Sequence, residues 1–134
     1  MGNVALVGLV DARGWLLLQE RDDRAPVDPD RWCLVGGQVE PGESALAAAH
    51  RELREETGLM VGELLPVGSL TLPCDLHGED DVSCFTAPTT ASDADVSCGE
   101  GRQVVFVAPD QVLELDLTRS TRAFVERVLA AHAT

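Results

Sequence analysis

The stretch Gly37-Gln-Val-Glu-Pro-Gly-Glu43, followed after seven residues by Arg51-Glu-Leu-Arg-Glu-Glu-Thr-Gly-Leu59, decides how the rest of the chain is read. Between its halves lies Ser44-Ala-Leu-Ala-Ala-Ala-His50, so a helix is expected from about Ser44 to Thr57. Ser at an N-cap accepts from the unpaired N–H groups of the first turn, and Gly58 stands where a left-handed residue closes the last. At 100° per helical residue, Glu52, Glu55 and Glu56 share an arc of about 100°. The apolar stripe expected from Ala45, Leu46, Ala49 and Leu53 lies beside that arc, which puts three carboxylates at the rim of the buried face.

Three acids so placed oppose one another. Glu52 stands at i,i+3 and i,i+4 to the other two, and all lie toward the helix C-terminus, where the dipole favours cations. At ~6 Å and an effective dielectric of about 20, each like-charge pair costs roughly 2 to 3 kcal/mol. Arg51 is within reach of Glu55 or Glu43, and Arg54 points to solvent, so arginine alone is not expected to neutralise the cluster. A hard divalent cation with oxygen ligands meets the need, magnesium or manganese rather than zinc. Magnesium is commonly held by a few carboxylates together with substrate phosphates, which makes a phosphate compound the expected substrate. The alternative, a solvated acidic face, does not account for the spacing around the acids.

Outward from this segment, the apolar runs at residues 3–10 and 14–20 are joined by Asp11-Ala-Arg-Gly14 and predict a β-hairpin. Residues 21–31, with two prolines and four aspartates, predict a long loop. Trp32 opens a short strand into Gly36-Gly37, and Val39 to Gly42 ends in a Pro-Gly turn. After the helix, Leu64 to Leu72 and Val82 to Ala87 alternate as strands around an acidic turn at 75–81, and Gln103 to Ala108 forms another strand. A short helical turn opens at Pro109-Asp110, and Thr118 to Ala131 has helical spacing. Strands, helix, strands and a last helix indicate an α/β fold, a mixed sheet with helices packed on it.

With 134 residues, one domain spanning 1–134 is expected. Ten basic against 23 acidic residues give a net charge of -13, which repels polyphosphate backbones and anionic lipid surfaces and makes nucleic-acid polymers and membranes unexpected partners. All ten basic residues are Arg, so neither Schiff-base chemistry nor a Walker lysine is available. The N-terminal run reaches Asp11 too early for a signal peptide, and a cytoplasmic location is expected. Cys33, Cys74, Cys84 and Cys98 show no zinc-like spacing and are expected to be buried thiols.

The glutamate-rich segment resembles the Nudix hydrolase signature: Gly, five residues, Glu, seven residues, then Arg-Glu-U-x-Glu-Glu-x-Gly-U, with U bulky and aliphatic. Gly37, Glu43, Arg51, Glu52, Leu53, Glu55, Glu56, Gly58 and Leu59 fill its fixed positions. One departure is Val35, where members often carry Pro ahead of the Gly pair. The resemblance implies a Nudix-type α/β/α sandwich and a metal-dependent pyrophosphohydrolase that cleaves a nucleoside diphosphate linked to another group. It further implies that Glu52, Glu55, Glu56 and the Gly37 carbonyl hold the metal, and that Glu43 and Arg51 brace the motif. A further carboxylate from outside the helix is common in the family as ligand or general base, and Glu100, in Cys98-Gly-Glu-Gly-Arg-Gln103, is the candidate.

Arg21 and Arg24, after the expected hairpin, are candidates for contacting phosphate or sugar. Trp32 is a candidate for stacking on a base, although a tryptophan opening an apolar strand serves a core equally well. The expected substrate is a nucleoside triphosphate, canonical or modified. The alternatives are ADP-ribose, a dinucleotide or a nucleotide sugar, or a noncatalytic nucleotide-binding module of the same fold. Family members often dimerise, and no residue pattern here specifies a homodimer.

Overall fold

β1 (Gly2–Val10) is apolar on both alternating sides, and Ala5 to Val10 are all buried. A strand of that kind needs neighbours at both edges and cover on both faces. The structure, a computed structural model, describes residues 2–25, 29–74, 76, 78–99 and 101–133. It gives β1 that central place in a six-stranded sheet of order β4-β5-β1-β3-β2-β6. The other strands are β2 (Leu16–Glu20), β3 (Trp32–Gln38), β4 (Leu65–Cys74), β5 (Gly78–Pro88) and β6 (Gln103–Val107). β1 runs parallel to β5, from Gly2 opposite Asp80 to Val10 opposite Pro88, and antiparallel to β3, so the sheet is mixed.

Alternation along β1 divides the core into two layers. Ala5, Val7 and Leu9 face α1 (Ala45–Thr57), where they meet Leu17, Val35, Phe85 and Phe106. Leu6 and Val10 face the other way, toward α2 (Pro109–Val112) and α3 (Arg119–Ala131), with Phe124, Val125 and Val128 at the centre of that layer. The result is the expected α/β/α sandwich. Among the described residues, no helix is long and apolar enough to cross a membrane.

Both long helices begin and end as their sequences predict. Ser44 accepts from Ala47 N and Thr118 from Thr121 N as N-caps, and Gly58 closes α1 in the left-handed region with φ 76°. Four expectations are corrected. The hairpin of β1 and β2 pairs only at its base, Val10 with Leu16. Beyond that point β3 lies between its arms, running first along β2 and then along β1. The turn is closed locally by buried Asp11, which accepts from the N–H groups of Arg13 and Trp15, while β2 is apolar on both faces and takes β3 and β6 as its neighbours. Second, β4 reaches Cys74 and β5 begins at Gly78, so most of the acidic segment is strand, and Asp81 accepts a hydrogen bond from Thr71 across the pair. Third, Leu46 is 43% exposed, and the buried face of α1 consists of Ala48, Ala49, Leu53 and Thr57. Fourth, of the cysteines only Cys33 and Cys84 are buried, and burial pushes the Cys84 thiol up to about 12.

Candidate active site

α1 lies across β3 and β1 with Glu52 directly over the Gly pair that ends the apolar part of β3. A Cβ on Gly37 would stand 2.7 Å from the Glu52 carboxyl carbon and 2.8 Å from each of its oxygens, so only glycine leaves room for that carboxylate. Glu52 is thereby held at the sheet surface with its side chain 14% exposed. One oxygen of Glu56 is fully buried. Glu55 is more open, 54% exposed. The three acids predicted to share a face therefore form a gradient from buried to solvated.

Arg51 stands among them and uses all five of its N–H donors. Nε and Nη2 donate to the two carboxylate oxygens of Glu43 at 2.8 and 2.9 Å, a bidentate pair, and Nη2 also donates to the Gln38 carbonyl at 3.0 Å. Nη1 donates to Glu52 at 2.8 Å and to Glu55 at 3.2 Å. This corrects the expectation that arginine leaves the cluster uncompensated, because one guanidinium serves two of the three acids and Glu43 besides. Among the described residues, no three acidic, His or Cys side chains are drawn together as metal ligands. Around Glu52 the donors are nonetheless all oxygens, set over a glycine notch, and such a set suits a hard cation. Glu52, Glu55 and Glu56 are the residues that fit it.

The Arg51 hydrogen bond, followed by the backbone N–H of Glu40, holds the Glu43 carboxyl at about 2, below its ordinary 4.5. A carboxyl lowered on folding stabilises the protein above its unfolded value and loses that contribution as pH falls through its folded value. Glu43→Gln is therefore expected to flatten the decline in melting temperature between pH 4.5 and about 2 relative to wild type. Parallel declines in paired thermal melts would show that the Glu43–Arg51 pair does not contribute to acid stability.

The far end of α1 is closed by the segment that precedes β6. Ser97 N donates to Thr57 O, and Gly99 N donates to Glu56 O at 3.0 Å. A Cβ on Gly99 would lie 2.8 Å from Glu55 O, and one on Gly101 would lie 2.6 Å from Glu20 O. The segment is thus wedged between the last turn of α1 and the end of β2. Glu100 itself lies outside the described residues.

The remaining candidates separate. Strand alternation puts Arg21 on the α1 side of the sheet, where Nη1 lies 3.8 Å from Cys33 Sγ. Arg24 is exposed in the following loop, its backbone N–H on the Asp22 carboxylate. Trp32 packs into the opposite layer, beside α3, so the structure does not bring it to the carboxylates. Gln19 and Cys33, which sequence reasoning missed, are buried cross-strand neighbours on the α1 side, with the thiol 3.7 Å from Gln19 Oε1. The signal for Gln19 was an amide on the buried parity of Leu16-Leu-Leu-Gln-Glu20. Arg102, also missed, ties the loop before β3 to β6 by binding Asp30 and the Arg21 carbonyl.

Comparison with known proteins agrees with this geometry. The family model of the NUDIX domain matches residues 1–128. Nucleoside triphosphatase NudI of Escherichia coli O17:K52:H18 is 32% identical over 117 residues, covering 81% of this chain and 82% of that protein. In fold, the chain is similar to the MutT protein from Methanosarcina mazei Go1, with a TM-score of 0.83 and 23% identity over 99% of this chain and 96% of the other. It is equally similar to the NUDIX domain of Shewanella oneidensis NrtR, solved with ADP ribose, with a TM-score of 0.84 and 18% identity over 99% and 89% of the two chains. The family match spans nearly the whole chain, the glutamate motif is complete and the sandwich is the same, and on these grounds the chain belongs to the Nudix hydrolase family.

Proposed function

We propose that this chain is a metal-dependent pyrophosphohydrolase of nucleoside triphosphates, canonical or modified, working with Mg2+ and accepting Mn2+ as a substitute. The observation that carries the reading is the Glu52 carboxylate set over the Gly37 notch, on the same helix as Glu55 and Glu56. The likeness to a nucleoside triphosphatase along most of both chains supports the triphosphate as substrate. Glu52, Glu55, Glu56 and the Gly37 carbonyl would hold the cation. Bound there, it would neutralise charge on the departing phosphate and lower the pKa of the attacking water. Arg51 and Glu43 hold the helix and the preceding turn in register. Arg21 is the basic residue on the α1 side of the sheet for a phosphate or sugar, with Arg24 beyond it in the loop.

Glu100 is the proposed general base, because its neighbour Gly99 is packed against the α1 end that carries Glu55 and Glu56, while Gly101 on its other side is packed against the end of β2. Glu100→Gln is expected to lower kcat about a hundredfold or more with KM little changed, since ordering or deprotonating water matters in the transition state. An unchanged kcat at saturating substrate moves the base elsewhere.

The likeness to a NUDIX domain solved with ADP ribose favours a second reading, in which the substrate or bound ligand is ADP-ribose, a dinucleotide or a nucleotide sugar. A noncatalytic module of this fold would have no need of three motif glutamates, and this chain retains all of them. The deciding experiment is a panel of nucleoside triphosphates, ADP-ribose, dinucleotides and nucleotide sugars with Mg2+, with products identified by mass. Release of pyrophosphate from a triphosphate supports the first reading. Turnover of ADP-ribose or a sugar nucleotide alone supports the second, and binding without turnover the regulatory one.

A further inference from the structure

The hydrogen bonds of Arg51 divide its guanidinium into two halves with different partners. Nε and Nη2 bind Glu43 and the Gln38 carbonyl, groups of the turn and strand before α1. Nη1 donates its hydrogen bonds to Glu52 and Glu55, two of the acids that fit a cation, and stands at a longer 3.7 Å from a Glu40 oxygen. The side chain is 16% exposed and Glu43 is equally covered, so the first half is fixed by a short, shielded bidentate pair. Nη1 has weaker anchorage on one side, because its Glu55 partner is solvated and lies 3.2 Å away.

Resting on the proposed metal dependence, the geometry points to Arg51 as a resident counter-cation. Its Nη1 edge occupies Glu52 and Glu55 in the metal-free protein and gives them up when a divalent cation binds, while Nε and Nη2 stay on Glu43 and Gln38. The physical reason is charge. Each carboxylate oxygen that serves a cation is no longer available as a strong acceptor for Nη1, and a guanidinium edge facing a divalent ion is repelled. A bracing role alone would leave every Arg51 contact in place. The division also explains how the acids can lie close together without a metal and still be available to one. Arg51 neutralises them, and its tether on Glu43 keeps the displaced edge nearby, ready to return. Arg51 is in this sense a positioning residue that sets cation affinity by competition.

The test uses the whole wild-type chain labelled with 15N-arginine and titrated with Mg2+ alone, with cation binding followed by calorimetry and hydrolysis of the substrate panel assayed in parallel. At saturation, the Nη1 protons of Arg51 are expected to lose their protected, slowly rotating signal while the Nε–H signal on Glu43 persists. In a second arm, Arg51→Gln is expected to bind Mg2+ roughly three- to tenfold more tightly than wild type, since the competitor is gone. A bracing role predicts weaker binding instead. Protected Nη1 protons at saturating Mg2+, or an Arg51→Gln variant that binds Mg2+ no more tightly, overturns the inference even if hydrolysis proceeds. Release of Nη1 without hydrolysis of any panel member upholds it and overturns the catalytic reading. No Mg2+ binding by wild type overturns both.

Discussion

Glu56→Gln is expected to lower kcat by about two orders of magnitude or more, with the melting temperature within a few degrees of wild type. Glu56 is in the last turn of α1, where the helix dipole disfavours an anion, and one of its oxygens is fully buried. A carboxylate in such a place adds little to folding, and glutamine keeps its shape and hydrogen-bonding capacity without the charge. Its proposed role as a cation ligand depends on that charge, so the effect should fall on turnover. Glu55→Gln is expected to reduce kcat similarly, and its stability change should be small, since its exposed i,i+4 pair with Arg51 contributes only about 0.3 to 0.5 kcal/mol. The check is kcat and KM at saturating Mg2+ beside thermal melts of the same preparations. Near wild-type turnover in both variants would remove these residues from the site.

The second large effect concerns folding. Gly36→Ala is expected to cost roughly 3 kcal/mol or more, a large part of the stability of about 5 to 15 kcal/mol typical of a domain. A Cβ on Gly36 would lie 2.1 Å from the Ala5 carbonyl oxygen and 2.9 Å from Leu6 Cα, both backbone atoms of the central strand. No side-chain rotation relieves such a contact, so β3 must move away from β1 along the ladder from Val4 to Val7. The movement also displaces Gly37 from beneath Glu52, so the folded fraction should lose activity as well. Gly62→Ala is the control, because a Cβ there would meet nothing within 4 Å. Denaturant melts in which the two variants are equally stable would show that the β1–β3 spacing is not fixed by Gly36.

Much of this was legible in the sequence because its signals are local. Ser44 and Gly58 each act within one turn, so the limits of α1 were readable, as were the strands whose apolar residues alternate. Strand pairing was less so. Nothing in residues 3–20 announces that Trp32–Gln38 will enter between the two arms, since that depends on which edges need covering once the sheet assembles. Leu46 was misplaced for a related reason. Wheel arithmetic ranks residues by angle, whereas close approach of α1 to the sheet selects the small Ala48 and Ala49. In the candidate site, residue spacing singled out Glu43, Arg51 and the three helix acids, but not that Arg51 would bind Glu43, Glu52 and Glu55 at once. Gln19 and Cys33 were missed because they meet only through the β2–β3 register.

The parallel ladder between β1 and β5 has a consequence for how the chain is made. Gly2 to Val10 emerge from the ribosome well before their partners Asp80 to Pro88, with β2, β3, α1 and β4 synthesised in between. Until then this largely buried strand has one unsatisfied edge, even after β3 has covered the other. Closing so long a loop before its contacts can form slows folding, and an uncovered strand edge in the meantime is a template for association with other chains. Expression yield should accordingly depend on the pace of translation between β3 and β5, and on chaperones that shield the nascent N-terminal strand.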